Sequence, residues 1–145
     1  MTTEDLPIIV AQTFDTPVEK VWQALTDESQ MRQWFFKEIE SFKPEVGFET
    51  NFNVNVGERD FLHIWKVMEV VPLKKITYSW KYAGYAGNFL SIFELLQQGN
   101  QTMLRLTCEI REDFPQEIPE FSRESGLKGW EYFIKQNLKQ YLEIR

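Results

Sequence analysis

Few side chains in this 145-residue chain are of types that carry reactions, and their spacing limits what they can do. His63 is the one histidine. An imidazole is the commonest general base, yet no second imidazole or cysteine cluster stands near it, and a metal site normally draws on three or four protein ligands. The alternative reading is a structural histidine. Cys108, the one cysteine, falls on the presumed inner face of a strand, where a thiol behaves as a small hydrophobe. A nucleophilic cysteine wants an electropositive, partly exposed setting. Glu69 has two readings. Facing inward with Val67, its carboxyl would be desolvated and its pKa raised; facing outward, it is an ordinary surface charge. The chain has no phosphate-cradling glycine loop, nucleophile elbow, zinc motif or Ca²⁺-loop spacing. No catalytic residue, metal ligand or cofactor is assigned on these grounds.

The aromatic residues are the unusual feature: 12 Phe, 5 Tyr and 5 Trp. Pockets for small molecules are mostly apolar, with a few polar groups that orient the guest. Trp34, Phe52, Trp65, Tyr78, Trp80, Phe93, Trp130 and Phe133, with Leu104 and Leu106, could line such a pocket, and Tyr78, Tyr132, His63 and Glu69 could supply its polar contacts. The same rings could instead fill a close-packed core. The segment 81–88 repeats Tyr-Ala-Gly and suits either a flap over a pocket or a plain hairpin loop whose glycines take positive φ.

The elements that must position these residues follow from periodicity. Ile8 to Phe14 reads as a strand. Thr16, Pro17 and Glu19 read as N-cap, first helical position and capping-box partner of a helix whose stripe is Val18, Val21, Trp22 and Leu25. Asp27 with Gln30 caps a second short helix carrying Met31, Trp34 and Phe35. The period then changes to two: Phe48, Thr50, Phe52, Val54 and Val56 alternate with Glu49 and three asparagines, the pattern of a strand wet on one side. Strands at 61–71 and 75–82 follow, then a hairpin of 88–97 and 102–110 around Gly99-Asn100. Pro115 and Pro119 break the chain before a long helix that starts near Glu120 or Ser122. Its stripe is Leu127, Trp130, Ile134, Leu138 and Tyr141, widened by Phe133 and Leu142. Hairpin-linked strands with helices gathered on one side define an α+β domain with an antiparallel sheet. Residues 1–145 read as one domain, with no repeat or linker.

Composition bounds the setting. A net charge of −6 disfavours nonspecific attraction to nucleic acid or anionic lipid. A single cysteine, no signal-peptide pattern and no apolar run of about 18 residues point to a reducing, cytoplasmic compartment without a membrane span.

Residues 16–27, Thr-Pro-Val-Glu-Lys-Val-Trp-Gln-Ala-Leu-Thr-Asp, followed by Met31-Arg32-Gln33-Trp34-Phe35, resemble the opening of START-like (SRPBCC) proteins, in particular the branch named for the activator of the heat-shock protein 90 ATPase. Val67 to Pro72 leading to Ile76-Thr77-Tyr78-Ser79-Trp80 is similar to that branch's middle strands, and Gly129-Trp130 to its C-terminal signature. The resemblance spans nearly the whole chain, in order. It implies a helix-grip fold, in which a curved antiparallel sheet wraps a long C-terminal helix and a cavity often lies between them. It also implies three functions: binding of a small hydrophobic molecule, a co-chaperone-like role with a chaperone partner, or cyclase-type catalysis through His63 or Glu69. Two departures bear on these. Trp65 stands where several relatives carry a small residue, so the indole would shrink the cavity, and Arg111 stands where many have a histidine.

Overall fold

The computed structural model describes residues 1–144. Six strands form one antiparallel sheet in the order β1-β6-β5-β4-β3-β2. They are β1 Ile8–Phe14, β2 Glu49–Val56, β3 Arg59–Val71, β4 Lys75–Tyr82, β5 Asn88–Gln98 and β6 Gln101–Glu112. The middle strands follow one another through hairpins, while β1 leaves the run and returns to pair with β6 along its whole length, from Ile8 opposite Cys108 to Phe14 opposite Thr102. The antiparallel pairing is what the hairpin-linked alternation predicts, and the curved sheet is that of the helix-grip fold the resemblance implies.

Two short helices, α1 Val18–Thr26 and α2 Glu28–Trp34, connect β1 to β2. The expected cap of α1 is displaced by one residue. Pro17 occupies the N-cap with no side-chain hydrogen bond, because Thr16 is buried and its carbonyl accepts a 2.7 Å bond from the Thr102 hydroxyl of β6. Asp27 caps α2 as its position suggests, accepting from the Ser29 amide at 3.1 Å.

After a 3-10 turn, Pro119–Phe121, the C-terminal helix runs in three segments: α3 Arg123–Glu131, a π-helical stretch Tyr132–Leu138, and α4 Lys139–Ile144. Ser122 caps it, accepting from the Ser125 amide at 3.1 Å. Its fully buried contacts with the sheet are Trp130, Ile134 and Leu138, each four residues apart. In an α-helix of 3.6 residues per turn, residues at that spacing drift around the axis. The wider i→i+5 turn brings them back onto one line. Leu127, expected on the stripe, is 37% exposed because it lies before this widened stretch and off that line.

The inner face of the sheet is built from cross-strand rows. Trp65, Trp80, Phe89 and Ile110 are successive partners, as are Tyr78, Ser91, Cys108 and Ile8, and Ile76, Phe93, Leu106 and Val10. A β-bulge at Met68 sets the fate of Glu69. Val67 pairs with Tyr78, and Glu69, two residues on, pairs with Thr77. The extra residue reverses the in-out phase, so Val67 is buried while the Glu69 carboxylate lies outside, 3.0 Å from Lys75 Nζ.

Candidate functional site

Most of the space between sheet and helix is filled by rings from α2 and the loop after it. Phe35 stacks on Trp34 at 4.6 Å and wedges between Trp65 at 5.4 Å, Phe133 at 4.8 Å and Trp130 at 6.0 Å. Phe42 closes on Tyr78 at 5.7 Å and Trp65 at 6.3 Å. Trp34 is held in place by its indole N–H, which donates to the Ala24 carbonyl at 2.7 Å.

Toward the start of the C-terminal helix a half-open cavity of about 280 Å³ remains, near the roughly 300 Å³ lower end of ligand pockets. On the sheet side lie His63, Trp80, Tyr82, Phe89 and Cys108. On the helix side lie Ser125, Gly126, Gly129, Trp130 and Phe133. Phe36, Met1, Phe121 and the cross-strand neighbours Val54 and Phe61, with Val56, complete the lining. Glu120 also lines it, with a carboxylate 3.0 Å from Arg59 at the start of β3. The other surface depressions are lined by charged residues such as Lys20, Lys139 and Glu143.

Two glycines keep the helix side bare. A Cβ on Gly129 would meet nothing within 4 Å, and one on Gly126 would press on Ile8 and Met1 at 3.3 Å. Gly126 therefore lets α3 approach β1 closely, while Gly129 leaves open volume. Each costs about 1 kcal/mol of helix propensity relative to alanine.

His63 is buried among rings. It stacks on Phe52 with centroids 4.8 Å apart, and meets Phe36 at 4.9 Å and Tyr82 at 4.7 Å. Its Nδ1 lies 2.9 Å from the Phe61 carbonyl oxygen. A carbonyl only accepts, so Nδ1 carries the proton and Nε2 presents a lone pair. Nε2 makes no hydrogen bond among the described residues. Burial disfavours the imidazolium and lowers the pKa to about 4, against the opposing pull of the Phe61 carbonyl. His63 is thus neutral near pH 7, a weak base and a hydrogen-bond acceptor. Burial raises the Tyr82 phenol and pushes the Cys108 thiol up to about 12, with the Trp130 indole and the Arg123 guanidinium pulling the other way. Both stay protonated. The indole N–H of Trp80 is buried, and the Tyr82 phenol is its polar neighbour, which it pulls toward the charged form against burial.

Of the residues expected to line a cavity, Trp80, Trp130 and Phe133 do so, and of the expected polar contacts His63 does. Trp34, Phe52, Trp65, Tyr78, Phe93, Leu104 and Leu106 are instead buried in the solid core; Phe35 and Phe42 occupy the space against Trp65 and Tyr78. Tyr132 is 52% exposed on the outer side of the helix, and Glu69 is turned out by the bulge. The loop 83–87 is packed rather than a lid: Tyr85 sits against Phe61 at 5.5 Å and Phe121 at 5.2 Å. Val54, Val56, Phe61, Phe89 and the two helix glycines were not singled out as lining residues. A pair of glycines inside an otherwise strong helix was the available signal. Among the described residues no three His, Cys, Asp or Glu side chains converge to hold a metal, and no helix is long and apolar enough to cross a membrane.

A curved antiparallel sheet gripping a long C-terminal helix, with a cavity at one end, defines a START-like protein of the helix-grip type. The sequence profile described as activator of Hsp90 ATPase homolog 1-like protein matches residues 15–143, and the chain belongs to that family. Among solved structures it is similar to DynU16, from the dynemicin biosynthetic locus, at 23% identity and a TM-score of 0.74, covering 96% of this chain and 48% of that one. The chain thus spans about half of DynU16. It is also similar to Mll3558 from Rhizobium loti, at 19% identity and a TM-score of 0.79 over 94% of this chain and 96% of that one. A third similar structure is the Aha1 dimer from Colwellia psychrerythraea, at 25% identity and a TM-score of 0.67 over 97% and 98% of the two chains. No curated protein matches the sequence.

Proposed function

We propose that the chain acts as one cytoplasmic domain that binds a small apolar or amphipathic molecule between the sheet and the C-terminal helix. The observation that carries this reading is the half-open apolar cavity with an unengaged acceptor, His63 Nε2, in its wall. Affinity would come from burial of apolar surface, at about 25 cal/mol per Å², and orientation from the few polar groups. Cyclase-type catalysis has less support, since His63 is a weak base and Glu69 lies outside. A chaperone-partner role fits the family name, but Ile9, Leu62 and Leu96 stand exposed on three different strands, and single exposed apolar residues are ordinary.

Native mass spectrometry of freshly purified protein, before and after incubation with a library of neutral apolar compounds, tests the reading. A stoichiometric mass increase that Gly129→Leu abolishes is the expected result. The absence of any adduct, or adducts that Gly129→Leu leaves unchanged, would contradict it.

A further inference from the structure

The lining of the cavity says more about its guest than that it is apolar. Among the described residues no lysine or arginine side chain lines it; its charges are the Glu120 carboxylate, paired with Arg59 at 3.0 Å, and the Met1 ammonium, which donates to the Phe121 carbonyl at 2.9 Å. A carboxylate or phosphate headgroup set against His63 would bring no proton for the Nε2 lone pair and would meet acceptor with acceptor. Ions moved out of water without a partner are strongly disfavoured. The wall offers one acceptor of fixed sense, the His63 Nε2 lone pair, whose tautomer is set by the Phe61 carbonyl. The His63 and Trp80 rings lie 5.4 Å apart. A hydroxyl is the simplest uncharged group that donates to such a lone pair. The surrounding surfaces are flat, with Trp80 stacked on Phe89 at 5.0 Å and Trp130 edge-on to Trp80 at 5.4 Å. Flat rings favour a planar body that stacks or meets them edge to face.

Building on the ligand-binding reading, we propose that the cavity selects an uncharged, flat apolar molecule bearing a hydroxyl, phenolic in character, which donates to Nε2 of His63, and that it discriminates against the corresponding carboxylate. Met1, Gly126 and Gly129 bound the end the hydroxyl does not reach. Truncation of the Gly129 side chain to hydrogen is what leaves room for the second ring.

Naphthalene, 2-naphthol and 2-naphthoate form a matched probe series, to be titrated by ligand-detected NMR near neutral pH. The expected order is 2-naphthol tighter than naphthalene by roughly 3- to 10-fold, the worth of one net hydrogen bond, with 2-naphthoate the weakest. His63→Phe keeps an aromatic ring against Phe52, and in it the affinity ratio of 2-naphthol to naphthalene should fall to about one. As a check independent of any variant, the His63 Nε2 resonance of the wild type should move with 2-naphthol and stay with naphthalene. Equal binding of all three probes, tighter binding of 2-naphthoate, or a hydroxyl preference that survives His63→Phe would overturn this selectivity while leaving ligand binding intact. Failure of every probe to bind the wild type would remove the ligand-binding reading itself, and the selectivity with it.

Discussion

Nδ1 of His63 lies 2.9 Å from the carbonyl oxygen of Phe61, two residues back on the same strand. That contact decides the tautomer, and burial decides the charge.

The pH dependence of stability follows from it. The folded-state pKa of His63 is lowered from 6.5 to about 4, so below 6.5 the unfolded chain takes up a proton that the folded chain refuses. Stability from this group is fully present above 6.5 and is lost as the pH falls toward 4. The loss is about 3 kcal/mol over that window. Urea unfolding of wild type and His63→Phe at a series of pH values should show it as a growing deficit of the wild type relative to the variant on acidification. A constant difference would contradict it.

Trp65 fills space rather than lining a pocket. It is fully buried, with Phe52, Tyr78 and Trp80 all at 4.8 Å. Trp65→Ala should therefore cost about 3–5 kcal/mol in chemical denaturation. A cost below about 1 kcal/mol would mean that the site is already loosely packed.

Gly87 is required by two independent constraints. Its φ is +106°, and a Cβ there would fall 2.6 Å from the Phe114 ring. Gly84, in the same loop at φ +81°, has open space around it. Gly87→Ala should lower stability by at least about 2 kcal/mol and Gly84→Ala by about 1 kcal/mol, measured as a difference in urea midpoint at constant slope.

Cys108 should be inert in the folded protein. A pKa near 12 in place of 9.0 leaves roughly a thousandfold less thiolate. Iodoacetamide at mildly alkaline pH should label it only as fast as the protein unfolds, and completely in denaturant. Rapid labelling of the native state would contradict the buried, cavity-side placement.

The elements were legible because their periods are clean: the strands from 49 to 112 fall within about two residues of where alternation puts them and Asp27 caps α2 as expected, while the cap of α1 lies one residue on, at Pro17. The inner face was legible too, up to the bulge at Met68. One extra residue there reverses the phase of Glu69, and no local pattern announces such an insertion. The cavity was less legible. Face assignment marks a ring as inward but not as bounding empty space. Whether it does depends on Phe35 and Phe42, which reach across from outside the sheet, and on Gly129, whose contribution is volume it does not occupy.

The most direct test of ligand binding uses the five tryptophans as reporters, each with one indole N–H cross-peak in an ¹H–¹⁵N spectrum. On titration with 2-naphthol, the Trp80 and Trp130 signals, from the cavity wall, should move saturably. The Trp34 signal, tied to the Ala24 carbonyl, should not. Shifts confined to residues on the outer face of the sheet, or no saturable shift at Trp80 and Trp130, would contradict the cavity as the binding site.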